Sequence, residues 1–217
     1  MSTFFSENIR CAVCGQISEL DVMGSSNSFG SPDLDLRPAA MLRYTMRFWV
    51  QECPHCGYVA AQLDAPTAIT HEWLQSDAYQ QCEGLCAQES MVRRFYRQAM
   101  IDRHLEQWED AFFALLHGAW CCDDLGDDEN ARYLRTMALE MLERMRQENP
   151  WHANLKLIRA DVLRRAGQFD RLLTEYADCV MERPVEAAVL AFQLECAKRG
   201  DTGCYRIDQV PGLTDMV

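Results

Sequence analysis

A chain of 217 residues with 48% hydrophobic content can bury a core of ordinary size, which excludes wholesale disorder. Acidic residues outnumber basic ones by 33 to 21, and the formal charge of -12 repels phosphate backbones, so nucleic acid is not an expected partner. No stretch approaches the roughly 20 apolar residues of a membrane helix, and the N-terminus shows no basic segment followed by an apolar run, so the expected location is cytoplasmic, away from the membrane.

In a reducing compartment the eleven cysteines are expected to bind metal or to pack, and their odd number argues against complete disulfide pairing. Residues 1–66 read as a zinc-ribbon-like β module. Its chemical signal is Cys11-Ala12-Val13-Cys14-Gly15 with Cys53-Pro54-His55-Cys56-Gly57. Two residues between cysteines let both thiolates face one ion from a tight turn, and four thiolates close a tetrahedral zinc site. Glycine after each second cysteine tolerates the positive φ that such a turn requires. The expected ligands are therefore Cys11, Cys14, Cys53 and Cys56, holding structural zinc. Rubredoxin-like iron, a redox dithiol and packing cysteines are the alternatives.

The interval between the pairs exceeds the ~15–20 residues usual for paired sites, which implies an inserted loop. Gly24 to Pro32, rich in Gly, Ser and Asn, reads as the loop that reverses the chain. Tyr44-Thr45-Met46-Arg47-Phe48-Trp49-Val50 reads as a strand.

From residue 67 to 217 the periodicity becomes helical, and the spacing predicts helices near 70–82, 86–103, 107–125, 128–148, 151–166, 169–182 and 184–199. Ala131, Leu134, Ala138, Met141 and Met145 make one apolar stripe, Phe169, Leu172, Tyr176 and Val180 a second, and Val185, Val189, Phe192 and Cys196 a third. Ala111 to Cys122 is apolar nearly all round and is expected at the centre of this part. Helix boundaries fall at Gly126, Asn149-Pro150, Gly167, Arg183-Pro184 and Gly200. Aligning Gly126 with Gly167 sets Ala119 against Ala160 and Ala138 against Cys179, and with Phe169, Tyr176 and Pro184 this resembles the tetratricopeptide repeat, a helix hairpin of about 34 residues. The fold class expected is thus α+β, mainly α: a four-cysteine β module followed by an array of antiparallel helix hairpins.

Weaker candidates each have a plainer reading. Cys82 and Cys86, with His71 near, suggest a second metal site, but Gly84 between them favours a turn. His117, in the apolar helix, reads as a core histidine, and His55 as a surface residue. Asp123-Asp124 would raise, not activate, the thiols of Cys121-Cys122. Trp151 and His152 follow Pro150 at a helix start. No phosphate loop, serine elbow or zinc-protease helix is present.

Three stretches, Cys11 to Gly15, Phe29-Gly30-Ser31-Pro32-Asp33-Leu34-Asp35-Leu36-Arg37-Pro38 and Phe48 to Tyr58, together with Leu125-Gly126-Asp127, resemble a bacterial family known as domain of unknown function 2225. The resemblance implies the four zinc ligands and a helical tail, with no established substrate. The expected function is a non-enzymatic, zinc-stabilised adaptor for a protein or peptide partner, its nineteen arginines offering planar donors to carboxylates. A cytosolic redox or metal sensor, and an enzyme with a site where the two parts meet, using His117 or Asp123-Asp124, are the rival expectations.

Overall fold

The computed structural model describes residues 2–80, 90–148 and 153–213. Thr3–Arg10 (β1) and Ile17–Ser25 (β2) form an antiparallel ribbon, paired from Thr3 with Ser25 to Arg10 with Ile17. The turn between them is the first cysteine pair itself. The chain therefore reverses at Cys11 to Gln16, not at Gly24 to Pro32 as composition suggested. The latter stretch instead ends β2 and opens an excursion that closes where Phe29 N–H donates to Ala40 O and Ser28 bridges Met41.

Tyr44 to Val50 is not a strand. Leu42–Phe48 is a 3-10 helix, fixed by side chains three and four residues apart: the Thr45 hydroxyl donates to Leu42 O at 2.8 Å and accepts from Trp49 Nε1 at 2.9 Å. The β-forming composition of this run served burial, with Thr45 and Met46 inside and Tyr44 outside. Two short strands follow, Gln51–Glu52 (β3) and Val59–Ala60 (β4), joined by the second cysteine pair.

The helices are His71–Leu74 (α1), Asp77–Gln80 (α2), Ser90–His104 (α3), Trp108–Leu125 (α4), Asp128–Glu148 (α5), Ala153–Arg165 (α6), Phe169–Glu175 (α7) and Pro184–Lys198 (α8). The first expected helix is broken at Gln75-Ser76, where the Ser76 hydroxyl donates to Trp73 O and Ser76 O accepts from Tyr79 N. The sixth stops at Glu175: the Tyr176 hydroxyl donates to Lys156 O, pinning the chain, and Val180, placed by periodicity in the stripe, is exposed. Cys82, Cys86, Trp151 and His152 lie outside the described residues.

The glycine boundaries hold, and they share one geometry. Gly126, Gly167 and Gly200 have φ of 72°, 75° and 67°, and the residue after each donates to the carbonyl five residues back: Asp127 to Cys122, Gln168 to Leu163, Asp201 to Cys196. This is the left-handed helix cap for which glycine carries no Cβ penalty. Asp127 then caps α5 by accepting from Asn130 N at 3.1 Å, and Pro184 starts α8. The result is a series of helical hairpins. α4, buried along ten of its residues, is the central helix, and a Cβ on Gly118 would lie 3.2 Å from Leu134 Cδ1 of α5 and 3.6 Å from Phe95 Cβ of α3. No helix among the described residues is long and apolar enough to cross a membrane.

One apolar core runs from Cys11, Cys53 and Val59 through Phe95, Phe112 and Leu134 to Leu163 and Leu172. The 33–37 segment of the excursion reaches far into the helical part. Asp35, fully buried, accepts from Trp120 Nε1 at 2.7 Å and from Arg165 Nη1 at 3.2 Å. Arg165 also meets Asp123 at 2.7 Å, and Arg37 pairs with Asp124.

Candidate metal centre

Each cysteine pair is the tip of a hairpin, and the two tips are built alike. Cys11 N–H donates to Gln16 O and Gly15 N–H to Cys11 O; Cys53 N–H donates to Tyr58 O and Gly57 N–H to Cys53 O, all at 2.8–2.9 Å. Gly15 and Gly57 take φ of 72° and 73°, and neither would bring a Cβ within 4 Å of another atom, so glycine serves the backbone angle and not the space. Ala12 N–H donates to Leu63 O, linking the first tip to the chain beyond the second, and the Tyr79 hydroxyl donates to Gly57 O, fixing the second against α2.

The four sulfurs lie within 4.8 Å of one another, with Cys11 to Cys56 and Cys14 to Cys53 both at 3.7 Å. A tetrahedron with arms of 2.3 Å has edges of about 3.8 Å, so the spacing matches four thiolates around one ion. All four cysteines are free of disulfides, and Cys11, Cys53 and Cys56 are buried. Burial pushes the thiols of Cys11 and Cys56 up. Cys14, the most accessible, is opposed by burial but held below the usual thiol range by the Gln16 N–H and the neighbouring sulfurs. Four thiols crowded this closely ionise together only when a cation compensates them, which is the chemistry of a metal centre. The residues present can hold a metal ion with no coordination position left over.

The remaining candidates are placed elsewhere. His55 is exposed beside the sulfur cluster. His117 sits among Trp49, Phe95 and Trp120 with ring centroids 4.8–5.3 Å away, and burial depresses its pKa to about 4, so it is neutral near pH 7. Asp123 does not stand free with Asp124: burial opposes its ionisation, but Arg135 and Arg165 hold its carboxyl below the usual range. The thiol of Cys121 is pushed up to about 12, mainly by burial and only secondarily by the adjacent acids. Six of the nineteen arginines expected to face a partner are turned inward: Arg37, Arg97, Arg135, Arg159, Arg164 and Arg165 are buried, Arg159 between Glu143 and Glu175 and Arg164 against Asp161. Sequence reasoning did not single out Asp35, Arg37 or Asp102. Of these, Asp102 was legible, because it continues the apolar stripe of Val92, Phe95 and Ala99.

Compared with known proteins, the chain matches no family model, no curated protein and no solved structure.

Proposed function

We propose that this protein is a non-enzymatic interaction adaptor in which a structural zinc ion, held by Cys11, Cys14, Cys53 and Cys56, fixes a tetratricopeptide-like array of helix hairpins as a rigid binding surface. Its kinship, on this reading, is with the domain of unknown function 2225 family. A closed set of four thiolates suits a scaffold and leaves no position for metal-bound water. Of the groups an enzyme would draw on, Asp123 and Asp124 are committed to arginines within the fold, and His117 lies among the rings of Trp49, Phe95 and Trp120.

The observation that carries the reading is an apolar groove of about 430 Å³ between α6, α8 and the 33–37 segment, lined by Leu34, Leu157, Ile158, Val189 and Ile207. At its rim Leu36 is held at φ 64° with nearly half its surface exposed. A leucine in the left-handed region costs roughly 1–2 kcal/mol, and strain of that size concentrates where a side chain is presented for use. The occupant that fits is a protein segment offering one or two bulky apolar side chains, with basic flanks drawn by the chain's net charge of -12.

The test places a photo-crosslinking residue at Val185, on the exposed rim, in the full chain in native lysate. One partner should be captured reproducibly, be lost with Leu36→Glu, and be displaced by a peptide from its own sequence. Equal capture from Tyr133, exposed on α5, would remove the groove from consideration.

A further inference from the structure

A second cavity, separate from that groove, lies where the chain leaving the second cysteine hairpin crosses α3 and α4. It has a volume of about 650 Å³, within the range of pockets that enclose small molecules. Its walls are aromatic on one side, with Trp49, Phe95, Phe113 and His117, and built of small residues on the other, from Ala60 and Ala61 to Ala65 and Ala68. Small residues leave the space open, and the aromatic rings border it.

Tyr58, Gln62, Thr67 and Gln107 bring both donors and acceptors to the lining, but the buried side-chain atoms left without a partner there are acceptors. Asp102 lines it at 3% exposure; its Oδ1 accepts from Gln98 Nε2 at 2.6 Å, while its Oδ2 is buried with no hydrogen-bond partner among the described residues. Gln98 Oε1, in the same wall, is likewise buried and without a partner. Asp110 lies at the exposed margin. Among the described residues no lysine or arginine lines the cavity, although arginines outnumber lysines nineteen to two in the chain and six of them are buried elsewhere. Buried acceptors without donors cost free energy unless something supplies the hydrogens. His117 does not supply them as a cation, being neutral, and the Tyr58 hydroxyl in the same wall pairs with the Thr67 side chain.

From this set of acceptors beside aromatic rings we infer that the cavity is a binding site for a small organic amine, whose ammonium is received by Asp102 and Gln98 and whose apolar body lies against Trp49, Phe95 and Phe113. An ammonium brings the donors that both orphaned oxygens lack, and ring faces favour cations over anions. The same acceptors repel carboxylates and phosphates. This site is independent of the adaptor reading, since it shares no lining residue with the apolar groove.

The full chain, with its metal bound, is titrated by calorimetry with phenethylamine and tryptamine, and with the size-matched phenethyl alcohol and phenylacetate. The amines should saturate and bind at least about tenfold more tightly than the alcohol, as a charge-assisted hydrogen bond provides, with phenylacetate weakest. Asp102→Asn should reduce amine affinity to that of the alcohol. Ala65→Phe, at a half-buried wall position where the polar contact is that of the backbone N–H with Gln62 O, should abolish binding of both while leaving the helical circular dichroism intact. Equal binding of phenylacetate, undiminished amine binding in Asp102→Asn, or saturation by neither amine would overturn the assignment, the last meaning that the cavity holds only water.

Discussion

Asp102 occupies a position at which helical spacing calls for an apolar side chain, three residues after Ala99 on the face that also buries Val92 and Phe95. Burial raises its pKa to about 7, the Gln98 hydrogen bond opposing and Asp110 adding to the rise. In the unfolded chain a carboxyl ionises near 3.9. Between those values the folded state binds more protons, so the contribution of the protonated form is present at low pH and lost as pH rises through about 7. Asp102→Asn should therefore be more stable than the wild type near pH 8 by about 2–4 kcal/mol in urea unfolding, with the advantage shrinking toward about pH 5. His117 titrates with the opposite sign, but both proteins carry it, and acid loss of metal is also common to both, so the difference isolates Asp102. A difference that does not vary with pH would show that this carboxyl is not the titrating group. Its place in an apolar stripe made Asp102 legible in sequence. Asp35 was not, because Trp120 and Arg165, which make its burial tolerable, stand 85 and 130 residues away.

The two cysteine hairpins are the elements most fully encoded by local sequence. Their hydrogen bonds close within six residues, and a cysteine spacing followed by glycine specifies the turn without help from the rest of the chain. Gly57→Ala should then act through the backbone alone, since its Cβ would meet nothing within 4 Å. The left-handed conformation costs roughly 1–2 kcal/mol for alanine, which corresponds to about a tenfold loss in metal affinity by chelator competition, with Gly57→Asn closer to wild type. Unchanged affinity in the alanine variant would mean that the turn relaxes to another φ. The helix caps at Gly126, Gly167 and Gly200 were readable for the same local reason. The 3-10 helix over Leu42–Phe48 was not: its residues favour strands, and what decides its shape is the Leu42, Thr45 and Trp49 chain of hydrogen bonds together with burial of Met46. The same limit applies to 33–37, just beyond the stretch that composition marks as loop, which the fold ties to α4 and α6 through side-chain pairs that no local window contains.

At the scale of the molecule, the sulfur cluster is part of the main core and not an appendage to it. Cys11, Cys53 and Cys56 belong to the same apolar cluster as Phe95 and Leu134, Arg97 of α3 donates to Glu52 of β3 at 2.7 Å, and Tyr79 of α2 holds the second hairpin through Gly57 O. Each of these links passes from the cysteine-bearing hairpins to a helix. If the metal is zinc, as proposed, such a site supplies roughly 10–16 kcal/mol of apparent free energy, as much as the ~5–15 kcal/mol that holds a typical domain together. Removing it leaves four crowded thiols at one end of a shared core. Chelation, or Cys53→Ser, is thus expected to do more than melt the β hairpins: it should lower the thermal midpoint read from helical circular dichroism, because α3 loses its packing against β4 and its ion pair with Glu52. Zinc content measured by mass spectrometry should fall in parallel, and adding zinc back after chelation should restore the single transition. A helical midpoint that stays fixed while the metal leaves would instead show that the hairpins and the helices are separate cooperative units joined only by contact at their surfaces.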